Sequence, residues 1–518
     1  MVSFASAALL TVVGALPSWS ALATQLVLFA AGLLLWRYFL SPLRGVPGPF
    51  LAKLTRLWHI HRILKGDQNL ALVALHDQYG HFVRLAPDEV SVAHPDAVHK
   101  LFLAPLTKGY WYAGFTIPDW RYVSPMAIVD PRAKIELSKA LSPGYALSNV
   151  LQSEEAVGRL IERLMDWMDV FARDGTPMAL DKYLSYTTLD IVGEVVFSKP
   201  FGFPRTTDAR PWWAKALQIE EGRDIDNTIR DNATLTLLGA VTPYFRRLRN
   251  LVLTNPVMTW LGLLPTGGVY HRCIKAINER LKDPDARFDL VAHWFRTMKQ
   301  SPERLNLKNI QAQTTNTVVA GSDTVSTGVQ SFLYHLLRAP DALSRVRAEM
   351  AAALAAGRCR TRVVAYADAR QLPYLQACVK EALRVHSPVS IGLPRVAPAP
   401  AGLEIGGRHF PPGTVLSVNP WVVHLSPEIW GPDAREFNPD RWLRDDAARL
   451  DKYILTFGAG YESCPGHNVA KMELSKITAT IIRDYNIRQV TPGQEWSYKA
   501  AFVAAPHSWP VYVEKRQS

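Results

Sequence analysis

Charge is what the start of this chain lacks. From Met1 to Trp36 there is no Asp, Glu, Lys or Arg, and Arg37 is the first charged residue. A stretch so apolar is unsuited to a solvated surface and suited to a bilayer. Ala21 to Leu40 is 20 residues, about 30 Å as a helix, which matches a hydrocarbon core. Pro17 and Ser18 interrupt the run, so the spanning helix is expected to begin near Trp19. Trp36 and Tyr38 fall where an aromatic belt sits. Arg37, Arg44, Lys53 and Arg56 follow on one side, which places the bulk of the chain in the cytoplasm. A cleaved secretory signal is the rival, since Ala21-Leu22-Ala23 resembles a processing site, but the positive n-region is missing.

Cysteine is scarce as well. Cys273, Cys359, Cys378 and Cys464 are too few and too far apart for a disulfide framework. Zinc-ligand pairs, RNA-binding aromatic signatures and helix-turn-helix signals are also missing, so nucleic acid is not an expected partner. Lys plus Arg number 58 against 46 Asp plus Glu, a net charge of +12. That surplus suits an anionic membrane surface or an acidic protein face.

Helical spacing dominates what is present. Helices are expected over Ser153 to Arg173, Leu307 to Arg338, Pro340 to Ala356, Tyr374 to Val385 and Asn468 to Tyr485. Strand-like pieces are short and come from both ends. The early one, HFVRLAPDEVSVA, alternates apolar and polar residues as a half-buried hairpin would. No internal repeat or low-complexity linker divides the chain. The expected organisation is a membrane anchor over 1–40, a stiff, extended proline-rich hinge over 41–50 (Pro42, Pro47, Pro49), and one large, mainly α domain with a small β region over 51–518.

The chemistry centres on FGAGYESCPG, Phe457 to Gly466. Nothing near Cys464 marks a nucleophile's partners, and His467 alone does not make a zinc site. One thiolate on a metal whose other positions a macrocycle fills is haem ligation. Gly458 and Gly460 permit a tight bulge, Gly466 offers no side chain to obstruct a flat group, and Phe457 can shield the sulfur from water. A helix opening at Pro465 would set its positive end beside the thiolate. Further along, AGSDT (Ala320 to Thr324) puts a glycine in mid-helix, a sign of close approach or local opening, and Thr324 can bond back to a carbonyl four residues earlier. Glu381 and Arg384 in KEALR share a helix face, and FNPDRW supplies Arg441.

The spacing Phe-x-x-Gly-x-x-x-Cys-x-Gly, with those three motifs in the same order, resembles the cytochrome P-450 monooxygenases from Leu51 onward. The resemblance implies that fold and a haem b whose axial ligand is Cys464. It implies electrons from NADPH through a flavin-containing reductase, and an endoplasmic reticulum location. Asp323 and Thr324 would relay protons to bound dioxygen, and Glu381, Arg384 and Arg441 would hold the cysteine loop in register. Arg395 would meet a haem propionate.

Two positions depart from the family pattern. Glu462 stands where an arginine commonly pairs with a propionate. Two carboxylates about 5 Å apart repel by roughly 3 kcal/mol at an effective dielectric near 20, so Glu462 should face solvent or find its own cation. Lys134 and Ser138 replace a His and Arg pair, and Lys134 or Lys139 is the expected substitute. The carboxyl-terminal segment is similar to a fungal subgroup that includes the pisatin demethylases, which implies a lipophilic, ring-containing substrate. Tyr110, Trp111, Phe115, Val389 to Leu393, Phe502 and Val503 are the expected contacts. The leading reading is oxygenation of an intermediate of fungal secondary metabolism. Its alternatives are detoxifying oxidation or demethylation of a plant defence compound, rearrangement or ring coupling on the same scaffold, and a haem-binding protein impaired in catalysis.

Overall fold

Apolar spacing sets the helices much as expected, and tertiary packing sets the rest. A computed structural model describes residues 19–202, 234, 237–252, 254–261, 267–283 and 287–516. The part of the expected anchor before Trp19 lies outside the described residues. Helix α1 (Trp19–Leu35) continues as a π-helical turn, Trp36–Leu40. Together they make 22 residues, none buried, long and apolar enough to cross a bilayer.

The hinge departs from expectation. Instead of standing off as an extended spacer, Ser41 to Val46 turns back on itself, and Arg44 N–H donates to the Ser41 carbonyl at 3.0 Å. Leu43 and Val46 are buried in the cluster under the main sheet. The buried Arg84 donates to the Ser41 hydroxyl at 3.0 Å and the Pro87 carbonyl at 2.8 Å, stapling the hinge to the body. Burial of two apolar side chains outweighs the stiffness of the prolines.

Helix α2 (Leu57–Lys65) ends at Gly66 in the left-handed region. Helix α3 (Glu154–Asp174) carries acids in its first turn and buries one apolar stripe, including Leu160, Ile161 and Leu164. Helix α4 (Leu180–Phe197) is buried nearly all round, and a short α5 (Arg246–Val252) follows later. The longest helix among the described residues, α6 (Leu307–Leu337), opens with a reciprocal cap between Asn306 and Asn309. Then come α7 (Pro340–Ala355), α8 (Pro373–Val385) and α9 (His467–Asp484). Residues of α3, α4, α6, α8 and α9 form the largest apolar cluster, among them Ile161, Val192, Phe332, Leu375 and Ile477.

Strands β1 (Phe82–Ala86), β2 (Glu89–Val92), β3 (Leu393–Val396), β4 (Leu403–Ile405), β5 (Arg408–Phe410) and β6 (Val415–Val418) are each three to five residues long. Four of them form a sheet in the order β1-β2-β6-β3, with β2 and β6 parallel. The β1–β2 hairpin is present but is not half-buried: eight of its nine strand residues are buried. Its polar side chains are paired instead of solvated. Glu89 is held by Arg56, and Ser91 meets His76 Nε2 at 2.8 Å. Near the carboxyl end β7 (Tyr485–Gln489) pairs with β10 (Val511–Lys515), and β8 (Ser497–Ala500) with β9 (Ala504–His507).

Candidate active site

A cavity of about 440 Å³ lies between α6, the Phe457–Gly466 loop and the sheet. Two glycines shape the loop. Gly458 (φ 66°) and Gly460 (φ 60°) both occupy the left-handed region, and a Cβ on Gly460 would stand 2.1 Å from the Phe102 carbonyl oxygen. The loop closes where Cys464 N–H donates to the Phe457 carbonyl at 2.7 Å. Phe457 packs on the core and, like Gly458, Cys464 and Gly466, lines the cavity. A Cβ at Gly466 would meet only the Cys464 sulfur, at an ordinary 3.9 Å, so the chain alone does not require glycine there. The following helix begins at His467, two residues later than expected.

Cys464 differs from the other cysteines. Cys273, Cys359 and Cys378 are buried, and burial pushes their thiols up, Cys273 to about 12. Cys464 opens on the cavity at depth. Burial raises its thiol too, against a lowering contribution from the Gly466 backbone. Bare, it favours the thiol; a coordinated metal removes that proton outright. His467 Nδ1 faces the Cys464 carbonyl at 2.9 Å rather than joining the sulfur on a zinc ion.

Positive charge gathers beside the loop. Lys108, buried completely, donates to the Pro125 and Met126 carbonyls at 3.0 and 2.9 Å and stands 3.4 Å from Glu462. Lys134 lies 3.9 Å from Glu462 and donates to the Tyr461 carbonyl. Arg395, buried, lies over the rings of Phe102 and Tyr112 with its Nε unpartnered. Burial pushes Lys108 down to about 8 and Lys134 down as well, while Glu462 opposes both shifts. Glu462 thus finds two cations. Lys139 does not take part; it pairs with Glu136 on the surface. Three cations against one carboxylate leave a surplus of two, which fits the two propionates of a haem.

On α6 the helix runs without interruption through Ala320 to Thr324, so the local opening does not occur. Gly321 instead permits close approach: a Cβ would stand 2.7 Å from Val192 of α4. Thr324 lines the cavity, and its hydroxyl donates to the Ala320 carbonyl at 2.7 Å. Asp323 is half-buried and falls outside the cavity wall.

Glu381, Arg384 and Arg441 are brought together, wholly buried. Arg384 clasps Glu381 through two bonds at 2.9 and 2.8 Å, and Arg441 Nε donates to it at 2.9 Å. Arg384 also donates to the His424 carbonyl at 2.6 Å, and His424 Nε2 accepts the Leu455 N–H at 2.8 Å, two residues before Phe457. The cluster therefore reaches the cysteine loop through one histidine, which burial holds neutral with its pKa down at about 3.

Trp111, Phe115 and Phe502 form one aromatic group on the cavity wall, with Trp111 and Phe115 centroids 4.7 Å apart. Val389, Ile391, Leu393 and Val503 join them. Tyr110 does not: it is 73% exposed. Sequence reasoning missed Lys108, whose only signal is a lysine opening an aromatic run, and Glu473. Glu473 lines the cavity from α9 with one carboxylate oxygen unpartnered, and burial raises it well above the usual carboxylate range. Its signal is an acid on the apolar face of a helix.

Comparison with known proteins agrees. The cytochrome P450 family profile matches residues 47–507. The chain is 30% identical to cytochrome P450 monooxygenase cicH of Emericella nidulans, over 92% of this chain and 94% of that protein. It is 28% identical to cytochrome P450 monooxygenase hepC of Aspergillus oryzae, over 92% and 93% of the two chains. With cytochrome P450 monooxygenase gsfF of Penicillium aethiopicum the identity is 27%, over 88% and 90%. A profile spanning the body and relatives matched nearly end to end make this chain a member of the cytochrome P450 family.

Proposed function

We propose that this protein is a membrane-anchored haem-thiolate monooxygenase that inserts one atom of O2 into a lipophilic small molecule of fungal secondary metabolism, with Cys464 as the axial ligand. The observation that carries the reading is a cysteine opening on a large apolar cavity beside a cation surplus of two. The family's haem b, when bound, supplies oxygen activation and the oxidising power for attack on an unactivated carbon.

The chain's own residues bind, orient and exclude water. Cys464 would hold the metal through sulfur, and Phe457 covers the loop from the core side. Lys134 and Arg395, both on the cavity wall, would receive the propionates, and Lys108, its three donors already taken, neutralises Glu462 from behind the wall. The Thr324 hydroxyl, on the cavity wall of α6, holds a proton where oxygen chemistry needs one. Asp323 would refill that proton from outside the wall. The aromatic group of Trp111, Phe115 and Phe502 keeps the substrate side dry.

Electrons would come from NADPH through the flavins of a cytochrome P450 reductase, whose acidic face suits a chain of net charge +12. The endoplasmic reticulum membrane is the proposed location, with residues 1–40 as anchor. The test is to combine the full chain, reductase and NADPH with isotopically labelled O2 and a panel of lipophilic fungal metabolites. One labelled atom in a product is expected. No NADPH consumption above background across the panel would contradict the reading.

A further inference from the structure

Burying an arginine is costly unless an acid or several carbonyls receive it. This chain follows that rule. Arg384 and Arg441 clasp Glu381, and Arg56 clasps Glu89. Arg84, with Asp88 nearby but no ion pair to it, is held by the Ala86 and Pro87 carbonyls and the Ser41 hydroxyl. Among the described residues two arginines line the cavity. Arg395 belongs to the cation cluster beside Glu462. Arg249 on α5 does not.

Arg249 is 7% exposed, and its contacts are poor. One terminal nitrogen donates to the Thr116 carbonyl at 3.1 Å, and the other reaches Asn250 Oδ1 at a long 3.4 Å. Among the described residues no carboxylate acts on it. Burial, aided by Arg246, lowers its guanidinium to about 10, so it stays charged at neutral pH. A fixed positive charge therefore faces a largely apolar chamber, with donors to spare. It is also separate from the cation cluster: Lys108, Lys134 and Arg395 act on one another and on Glu462, and none of them acts on Arg249.

We infer that the substrate is a lipophilic carboxylic acid whose carboxylate seats on Arg249, its apolar body lying along Trp111, Phe115 and Phe502. The inference rests on the reading of this cavity as the site of oxidation. Guanidinium and carboxylate match in geometry and, in a dry chamber, pair strongly. Seating the acid end at Arg249 fixes which carbons can lie beside Thr324, on the wall assigned to oxygen chemistry, so this residue would govern the position of oxidation as well as affinity.

The experiment uses the haem-loaded full chain and paired probes. Alkyl and aryl carboxylic acids, dodecanoic and naphthylacetic acids among them, are titrated beside their methyl esters. Binding is read by the change in haem absorption and, independently, by the rise in melting temperature. Acids should bind about tenfold or more tighter than their esters. Arg249→Gln keeps a donor for the Thr116 carbonyl but removes the charge, and should lower acids to the affinity of their esters. Arg249→Lys should keep a preference for acids. Should the glutamine variant fail to fold, the wild-type comparison and the lysine variant still decide. Equal binding of acids and esters, binding of no acid in the set, or an undiminished preference in Arg249→Gln would each overturn the inference. A protein that forms thiolate-bound haem and turns over with NADPH yet ignores the carboxylate overturns this inference alone. One that never forms thiolate-bound haem overturns the functional reading beneath it.

Discussion

Lys108 and Glu462 show how a substitution away from a family pattern is absorbed one residue at a time. An acid where arginine is common would repel a propionate. Here it draws Lys108 to 3.4 Å and Lys134 to 3.9 Å, and the local charge remains positive by two. Lys108→Met should therefore weaken haem retention by about tenfold, the loss of roughly one charge-assisted contact. Transfer of haem to an acceptor protein measures it, and unchanged retention would remove Lys108 from the site. Glu473 makes a second case. Its buried carboxyl titrates above the usual range, so the folded chain holds a proton that the unfolded chain releases. The folded state is then favoured most at low pH and loses that advantage as pH climbs above the ordinary carboxylate value. Between about pH 5 and about pH 8, Glu473→Gln should lose less melting temperature than the wild type. Equal losses would mean that the group is ionised or paired.

At the scale of elements, the fit of α4 against α6 turns on one glycine. A Cβ on Gly321 would stand 2.7 Å from Val192, so Gly321→Val should cost about 1–3 kcal/mol of stability, and Val192→Ala should restore much of it. Chemical denaturation of the two single variants and the double variant checks this; additive losses would show that the two side chains do not meet. Elements are also where the sequence was most and least legible. The boundaries of α3, α6, α8 and α9 fall within two residues of expectation because apolar spacing and caps are local. The Glu381 cluster was legible because its members lie on a helix face and in a short motif. The hinge was not, because its fate depends on Leu43 and Val46 finding a core formed by strands from both ends of the chain. The β1–β2 alternation misled for a related reason: Arg84 and Glu89 look solvated in sequence and are buried against the hinge and Arg56. Tyr110 turns outward while Trp111 turns in, a choice that a run of aromatics cannot reveal by itself. Arg249 carries no local signal and Glu473 only that of an acid on an apolar helix face; the fold alone shows that both line the cavity.

On the whole molecule, two groups of exposed apolar side chains among the described residues bear on membrane contact. One is the span Trp19–Leu40. The other comprises Phe50, Leu51, Leu57, Leu64, Leu248, Leu251, Val257 and Trp260, all exposed. His59 of α2 meets Tyr244, just ahead of α5, with ring centroids 5.9 Å apart, which brings the elements bearing this second surface together. Deleting residues 1–35 should therefore convert the protein from one that resists alkaline carbonate to one that still sediments with anionic vesicles but is released by salt. A truncated chain that remains carbonate-resistant would move the anchor elsewhere. Yet the proposed chemistry depends first on the bond between Cys464 and haem iron, and the spectrum of the reduced, carbon monoxide-treated protein tests that bond most directly. The full chain should give the red-shifted absorption of thiolate ligation, and Cys464→Ser should lose it while keeping a folded body. A shifted band that survives in Cys464→Ser, or its absence from haem-loaded wild type, would contradict the account.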